Sequence, residues 1–261
     1  MATAVVTGAS SGIGRSYAER LASDGMDLML IARRADRLDE VKRDLVGKGV
    51  DMRTIVADLG RTEDLQRLGA QLSTLQIDLL VNNAGLAHYM PFAELPDSRA
   101  RELVNVNALA PVLLTRAVLP GMIERRRGAI INVASLLAFS GTARAPQLPK
   151  RALYAATKSF LVTFTEILAA EVADAEVKVQ VVCPGVVRSE FHSRQGMDLS
   201  QIARMEPDQI VSASLSDLER GVVVSIPALP EESAKARLDE AAAALLAVAR
   251  STELAPRYRA R

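Results

Sequence analysis

The chain has 261 residues, 49% of them hydrophobic and 24% charged, and a formal net charge of +1. That length and apolar content fit an ordinary globular chain with a sizeable core, and the near-zero charge gives no bulk attraction to nucleic acid or an anionic membrane. One cysteine, Cys183, excludes an intrachain disulfide and a multi-cysteine metal site, and His88 and His192 are too few for a histidine-rich one, so no metal is expected.

The opening residues Met1–Val6 already read as a strand. No basic region followed by a long apolar stretch precedes it, so no signal peptide is expected. No uncharged run reaches the eighteen or so apolar residues of a membrane span, and the expected location is cytoplasmic. Strands are predicted at Ala4–Thr7, Asp27–Ala32, Asp51–Ala57, Leu79–Asn82, Ala129–Ala134, Lys178–Cys183 and Val222–Ile226. Between them, apolar residues recur at spacings of three and four, as at Tyr17 and Leu21 or at Leu38, Val41 and Leu45. Strands alternating with helices imply right-handed crossovers and a doubly wound parallel α/β sheet with helices on both faces. The near-absence of polar residues in the strand cores agrees with a sheet covered on both sides.

With no linker and no repeat, one domain is expected across 1–261. Two irregular stretches interrupt the pattern: Phe139–Ala152, with Gly141, Pro146 and Pro149, and the polar stretch Val186–Pro207 after Pro184-Gly185, placed as a lid would be. Near the C-terminus, Glu231–Arg250 is predicted as a helix that docks or contacts another subunit, followed by a basic tail at Pro256–Arg261.

The first strand runs into Thr7-Gly8-Ala9-Ser10-Ser11-Gly12-Ile13-Gly14 and then an amphipathic stretch. Glycines there allow a tight turn and close approach to a pyrophosphate, which a helix N-terminus stabilises through its amides and dipole. The strand–turn–helix context is what a dinucleotide site requires. After the second strand, where NAD-binding proteins place an acidic residue, stand Arg33 and Arg34. Guanidiniums suit a 2′-phosphate, so NADP(H) is expected in preference to NAD(H), with Arg33 the better placed of the two.

Further on, Tyr154 and Lys158 are spaced i, i+4, which puts phenol and ammonium on one helical face. At an effective dielectric of about 20, unit charges about 4 Å apart attract by roughly 4 kcal/mol. That is enough to bring a tyrosine from about 10 towards neutrality.

Together with Asp58-Leu59, Asn82-Asn83-Ala84-Gly85, Asn107, Ser135 and Pro184-Gly185, these motifs resemble the short-chain dehydrogenase/reductase family in its compact branch. The resemblance runs from position 7 to 189 and implies a Rossmann fold with a seven-stranded parallel sheet. It implies that Tyr154 exchanges a proton with the carbonyl or alcohol oxygen, that Lys158 lowers the Tyr pKa and binds the nicotinamide ribose, and that Ser135 polarises the substrate oxygen. Asn107 would hold a water linking Lys158 to solvent. Cofactor contacts are implied for the loop residues Gly8, Ser10, Ser11, Gly12, Ile13 and Gly14, with Arg33 and Arg34 at the 2′-phosphate. Asp58 would accept from the adenine amine, Leu59 offer backbone contacts, Asn83 help hold the central strand and the cofactor, and Ser189 contact the nicotinamide amide; Ala84, Gly85, Pro184, Gly185 and Val187 would be further cofactor contacts.

One departure is the 19-position separation of Ser135 and Tyr154, longer than is usual in the family. The extra residues are assigned to Phe139–Ala152, which could extend over the substrate mouth. Ser140 is the competing assignment, but Ser135 directly follows the strand. His88, Tyr89 and His192 are candidates for the substrate pocket without a catalytic role. The expected enzyme interconverts a ketone or aldehyde and an alcohol, as a homodimer or homotetramer through the long helices after the fourth and fifth strands. Alternatives are an NAD(H)-dependent alcohol dehydrogenase, an epimerase or dehydratase, and a cofactor-sensing protein without catalysis.

Overall fold

The β-branched run Thr3–Thr7 forms the central strand β1, and the alternation of its side chains divides the core. Val5 joins the apolar cluster on one face of the sheet, whereas Ala4 and Val6 join the cluster on the other. Leu80 and Leu79 separate in the same way, as do Ile130 and Ile131, as the two-residue period of a strand demands. The computed structural model describes residues 2–142, 148–199, 201–231 and 233–258. Residues 143–147, inside the predicted loop, and 259–261, inside the predicted tail, lie outside the described residues.

β1 is followed by α1 (Gly12–Ser23), β2 (Asp27–Ala32), α2 (Ala35–Asp44), β3 (Met52–Val56), α3 (Thr62–Ser73) and β4 (Leu79–Asn82). Then come α4 (Asp97–Val104), α5 (Ala110–Glu124), β5 (Gly128–Val133), α6 (Ala152–Glu171), β6 (Val177–Val182), α7 (Glu190–Ser193), α8 (Pro207–Glu219) and β7 (Val224–Ser225). All seven strands are parallel in the order β3-β2-β1-β4-β5-β6-β7. This is the doubly wound Rossmann-like arrangement that the sequence predicts. The edge strand β7 is shorter than the expected Val222–Ile226, and edge strand β3 leaves Val56 half-exposed.

Leu65, Leu68 and Leu72 of α3, Leu114, Val118 and Met122 of α5, and Leu168 of α6 cover one face. Tyr17 and Leu21 of α1, Leu38 and Val41 of α2, and Ile210 and Val211 of α8 cover the other. Between α4 and α5, Asn105–Leu109 makes one turn of π-helix, which the apolar periodicity did not announce. The continuous segment Asp97–Glu124 is, among the described residues, the one helix long and apolar enough to cross a membrane; 44% of its most apolar window is buried inside the fold.

The strand order reverses between β1 and β4, and the crevice at such a switch point is where open α/β sheets bind ligands. Residues Met1–Pro227 form one compact unit and Ala228–Arg261 a second. The second contains α9 (Ser233–Leu246), shorter at both ends than the predicted helix, with Leu238, Leu245 and Leu246 exposed.

Candidate active site

Three hydrogen bonds made by the Thr7 hydroxyl join the ends of β1 and β4. Its Oγ1 donates to the Val81 carbonyl and accepts from the amides of Asn83 and Ala84. The Asn83 side chain completes the tie, its Nδ2 donating to the carbonyls of Thr7 at 2.9 Å and Gly8 at 3.3 Å. The glycine loop is thereby pressed against β4. A Cβ at Gly14 would stand 2.4 Å from both Asn83 Nδ2 and the Gly8 carbonyl oxygen, and one at Gly8 would stand 2.8 Å from the same amide. Gly12, with φ of +53°, starts α1, and the Ser11 side chain does not cap that helix. The first-turn amides therefore face the crevice, as an anion site requires.

The crevice is a cavity of about 730 Å³, within the usual range for ligand sites. Gly8, Ser10, Ser11, Gly12 and Ile13 line one end, with Arg33, Arg34, Asp58 and Leu59 beside them. Asn83, Ala84 and Gly85 line its centre; Pro184, Gly185, Val187 and Ser189 lie on the side of β6. Ser135, Tyr154 and Lys158 line it as well. Gly14 and Asn107 are the two expected site residues behind its wall: Gly14 packs the loop, and Asn107 is fully buried in the π-turn.

Tyr154 lies in the first turn of α6, and its hydroxyl interacts with the side chains of Ser135 and Tyr89. Ser135 follows β5 and begins a short 3-10 turn, Leu136–Phe139, its Oγ accepting from the Leu137 amide. Ser140, the alternative, is occupied elsewhere. It donates to the Leu137 carbonyl and accepts from Arg151 Nε, away from the cavity.

Lys158 is buried on the same face of α6, but its Nζ donates to the Val133 carbonyl at 2.9 Å and lies 5.8 Å from the Tyr154 ring centroid. The ammonium is over the ring, not at the phenol oxygen. Burial, with the neighbouring Tyr89 adding to it, therefore raises the Tyr154 pKa, and the interaction with Ser135 offsets this only in part. The expected lowering by Lys158 is corrected accordingly: here Tyr154 is a firmly protonated donor. Burial also pushes the Lys158 ammonium down to about 8.

Asn107 Oδ1 accepts from the Leu86 amide, while its Nδ2 donates to the Leu86 carbonyl and to Thr157 Oγ1. A Cβ on Gly85 would be 3.4 Å from Lys158 Nζ and 3.5 Å from Asn107 Oδ1. The lysine and the asparagine thus converge on Gly85, the one residue between them small enough to leave that space open. Thr157, which orients Asn107, was not singled out by sequence because a threonine in a helix carries no motif of its own.

Both arginines are paired. Arg33 meets Glu102 at 3.3 Å and is half-exposed. Arg34 donates to Glu190 at 3.0 Å and to the hydroxyls of Ser10 and Ser11 at 3.2 and 3.3 Å. Arg34, not Arg33, is therefore the guanidinium held against the glycine loop. Asp58 bonds the Gly60 amide and lies at the cavity end. Among the other lining residues, Tyr89 stands edge-on to Tyr154 at 5.4 Å and Phe191 is tilted to it at 6.2 Å. Leu137, Leu148, Pro149, Met197, Leu199 and Ile202 continue an apolar mouth that His88 and His192 also border.

The sequence matches the short chain dehydrogenase profile over residues 2–199. The chain belongs to the short-chain dehydrogenase family. It is an oxidoreductase of that family. The short-chain dehydrogenase from Sphingobium yanoikuyae, solved in complex with NADPH, is 35% identical with a TM-score of 0.92, covering 99% of this chain and 100% of its own. The bulky-bulky ketone specific alcohol dehydrogenase from Comamonas testosteroni is 31% identical with a TM-score of 0.88, covering 100% and 99%. The very-long-chain 3-oxoacyl-CoA reductase of Bos taurus is 41% identical over 193 residues, 72% of this chain. The match spans 60% of that relative's length.

The residues present fit a dinucleotide. The loop tolerates no side chain at Gly8 or Gly14, α1 presents its N-terminus, and the Arg34 guanidinium is bonded to the loop hydroxyls of Ser10 and Ser11.

Proposed function

We propose that the protein is an NADP(H)-dependent reductase that interconverts a bulky, largely apolar ketone and its alcohol. What carries the reading is one cavity lined both by Arg34 with the Ser10 and Ser11 hydroxyls and by Tyr154 among apolar and aromatic side chains. The names of the Sphingobium and Comamonas relatives, one bound to NADPH and one specific for bulky ketones, support it.

The nicotinamide, when bound, supplies the hydride. The chain supplies the proton: Tyr154 holds it at the phenol oxygen and releases it to the carbonyl oxygen, which Ser135 Oγ also binds. A positioned acid of this kind contributes about 10²–10⁴-fold. Lys158, fixed by its bond to the Val133 carbonyl, stands over the ring and beside Gly85, where it lines the cavity as a donor to a bound cofactor. The apolar mouth excludes water from the reacting carbon and takes the two large substituents of the ketone.

A second reading has its own observation. Arg33 and Arg34 already neutralise Glu102 and Glu190, which would suit an NAD(H) enzyme in which the arginines only brace the site. Cytoplasmic location and a homo-oligomer complete the proposal; the exposed apolar residues Ile123 on α5 and Phe160 and Ile167 on α6 are the surface that supports the latter.

The test is turnover of a panel of carbonyls graded by bulk, with NADPH and NADH compared for each. Preference for bulky apolar ketones with NADPH is expected. Efficient use of NADH would favour the second reading, and preference for small polar carbonyls would overturn the substrate class.

A further inference from the structure

Glu190 opens α7 on the stretch that borders the cavity between β6 and α8. The base of that stretch is pinned, Arg188 N donating to the Met205 carbonyl and Met205 N to that of Val186. Ser189 lies directly on the glycine loop, its Cβ 3.0 Å from where a Gly12 Cβ would stand. One guanidinium joins the two. Arg34 Nη1 donates to Glu190 Oε2 at 3.0 Å, and Arg34 Nη2 donates to the Ser10 and Ser11 hydroxyls. The same Glu190 oxygen also accepts from Arg194 Nη2. Burial works against the Glu190 charge, yet the bond from Arg34 and the charge of Arg194 hold its pKa below the ordinary carboxylate value.

Resting on the NADP(H) reading above, we propose that Glu190 is a specificity-determining residue, an internal carboxylate that competes with the adenosine 2′-phosphate for Arg34. A phosphate seated between Arg34 and the two serine hydroxyls would stand beside a carboxylate on the same guanidinium. Like charges so close repel. The phosphate carries the larger charge and three acceptor oxygens. The carboxylate keeps a second cation, Arg194, four residues along its own chain, so it gives way. A ribose with a free 2′-hydroxyl has no charge with which to contest Arg34 and leaves the pair intact. Glu190 therefore lowers the affinity for NADPH alone and narrows the discrimination that Arg34 creates.

The experiment is titration of NADPH and NADH binding by fluorescence to the full chain and to Glu190→Gln and Arg34→Met variants, each checked for an unchanged circular dichroism melt. Both side chains are partly exposed, which favours intact folding. Glu190→Gln is expected to tighten NADPH about two- to fivefold, the range set by an exposed ion pair, and to leave NADH unchanged. Arg34→Met is expected to weaken NADPH selectively. If Arg34→Met leaves the NADPH-to-NADH ratio unaltered, the NADP(H) reading itself fails at this site. If Arg34→Met lowers the ratio while Glu190→Gln changes nothing, or changes both cofactors equally, the role of Glu190 alone is overturned.

Discussion

Lys158 Nζ bonds the Val133 carbonyl and stands 5.8 Å from the centroid of the Tyr154 ring, so the two residues share a helical face without forming an ion pair. The lysine is buried with a hydrogen bond but no carboxylate beside it. Its charge is therefore a cost to the fold that the site retains for chemistry.

That cost has a measurable pH signature. The Lys158 pKa falls from 10.5 in the unfolded reference to about 8 in the folded chain. Between those values the unfolded state binds more protons than the folded one, so this group makes stability rise with pH across that window. Below pH 8 the penalty is present in full, on the order of 3 kcal/mol as an upper bound. Lys158→Met should therefore raise the unfolding free energy at pH 7, less whatever the lost bond to Val133 costs, and the gain should shrink towards pH 10. Guanidinium titrations of both proteins at the two pH values check this; a variant less stable at pH 7 than at pH 10, relative to wild type, contradicts the buried-charge assignment. Taking the difference between the two proteins cancels the tyrosines that titrate in the same region.

Tyr154→Phe removes one oxygen from a buried ring that packs against Tyr89 and Phe191, and leaves the packing in place. Carbonyl reduction should fall by about 10²–10⁴-fold. NADPH binding, followed by fluorescence, should change little, because the loop and Arg34 are untouched. Loss of binding in parallel with activity would mean that the ring holds the cofactor rather than handling the proton.

The strands and the glycine loop were legible because strand cores are apolar and the loop's glycines stand in one place in the chain. Even the bounds of Asp27–Ala32 and Leu79–Asn82 coincide with the structure. The site was less legible wherever a side chain's direction mattered. Sequence spacing put Lys158 near Tyr154, but not that its Nζ would turn to a strand carbonyl. It favoured Arg33 over Arg34, because the contact of Arg34 with Ser10, Ser11 and Glu190 joins positions far apart in the chain. The π-turn that buries Asn107 left no trace in apolar periodicity, since one extra residue per turn only shifts the phase.

Ser135 and Ser140 can be separated by single substitutions. Ser135 lines the cavity and interacts with the Tyr154 hydroxyl, whereas Ser140 braces the turn through Leu137 and Arg151. Ser135→Ala should cut kcat by about tenfold or more, the loss of one charge-assisted bond to a developing oxyanion. Ser140→Ala should leave kcat near wild type and lower the melting temperature slightly. The reverse pattern in kcat would transfer the polarising role to Ser140.

Two glycine-to-alanine substitutions should move stability in opposite directions. At Gly14 the added methyl would lie 2.4 Å from the Gly8 carbonyl oxygen and from Asn83 Nδ2, and backbone on one side cannot swing away. The loop must shift off β4, breaking the ties from Asn83 to Thr7 and Gly8. Overpacking of this kind costs about 1–3 kcal/mol, and NADPH affinity should fall with it because the phosphate-facing amides move. Gly69 sits inside α3 with nothing within 4 Å of a new Cβ. There alanine only removes backbone freedom from the unfolded chain and should stabilise by up to about 1 kcal/mol without touching the cofactor. Denaturant unfolding and NADPH titration of the two variants provide the check. A Gly14→Ala protein as stable as wild type, with unaltered NADPH affinity, would show that the loop does not lie as tightly on Asn83 as the geometry requires.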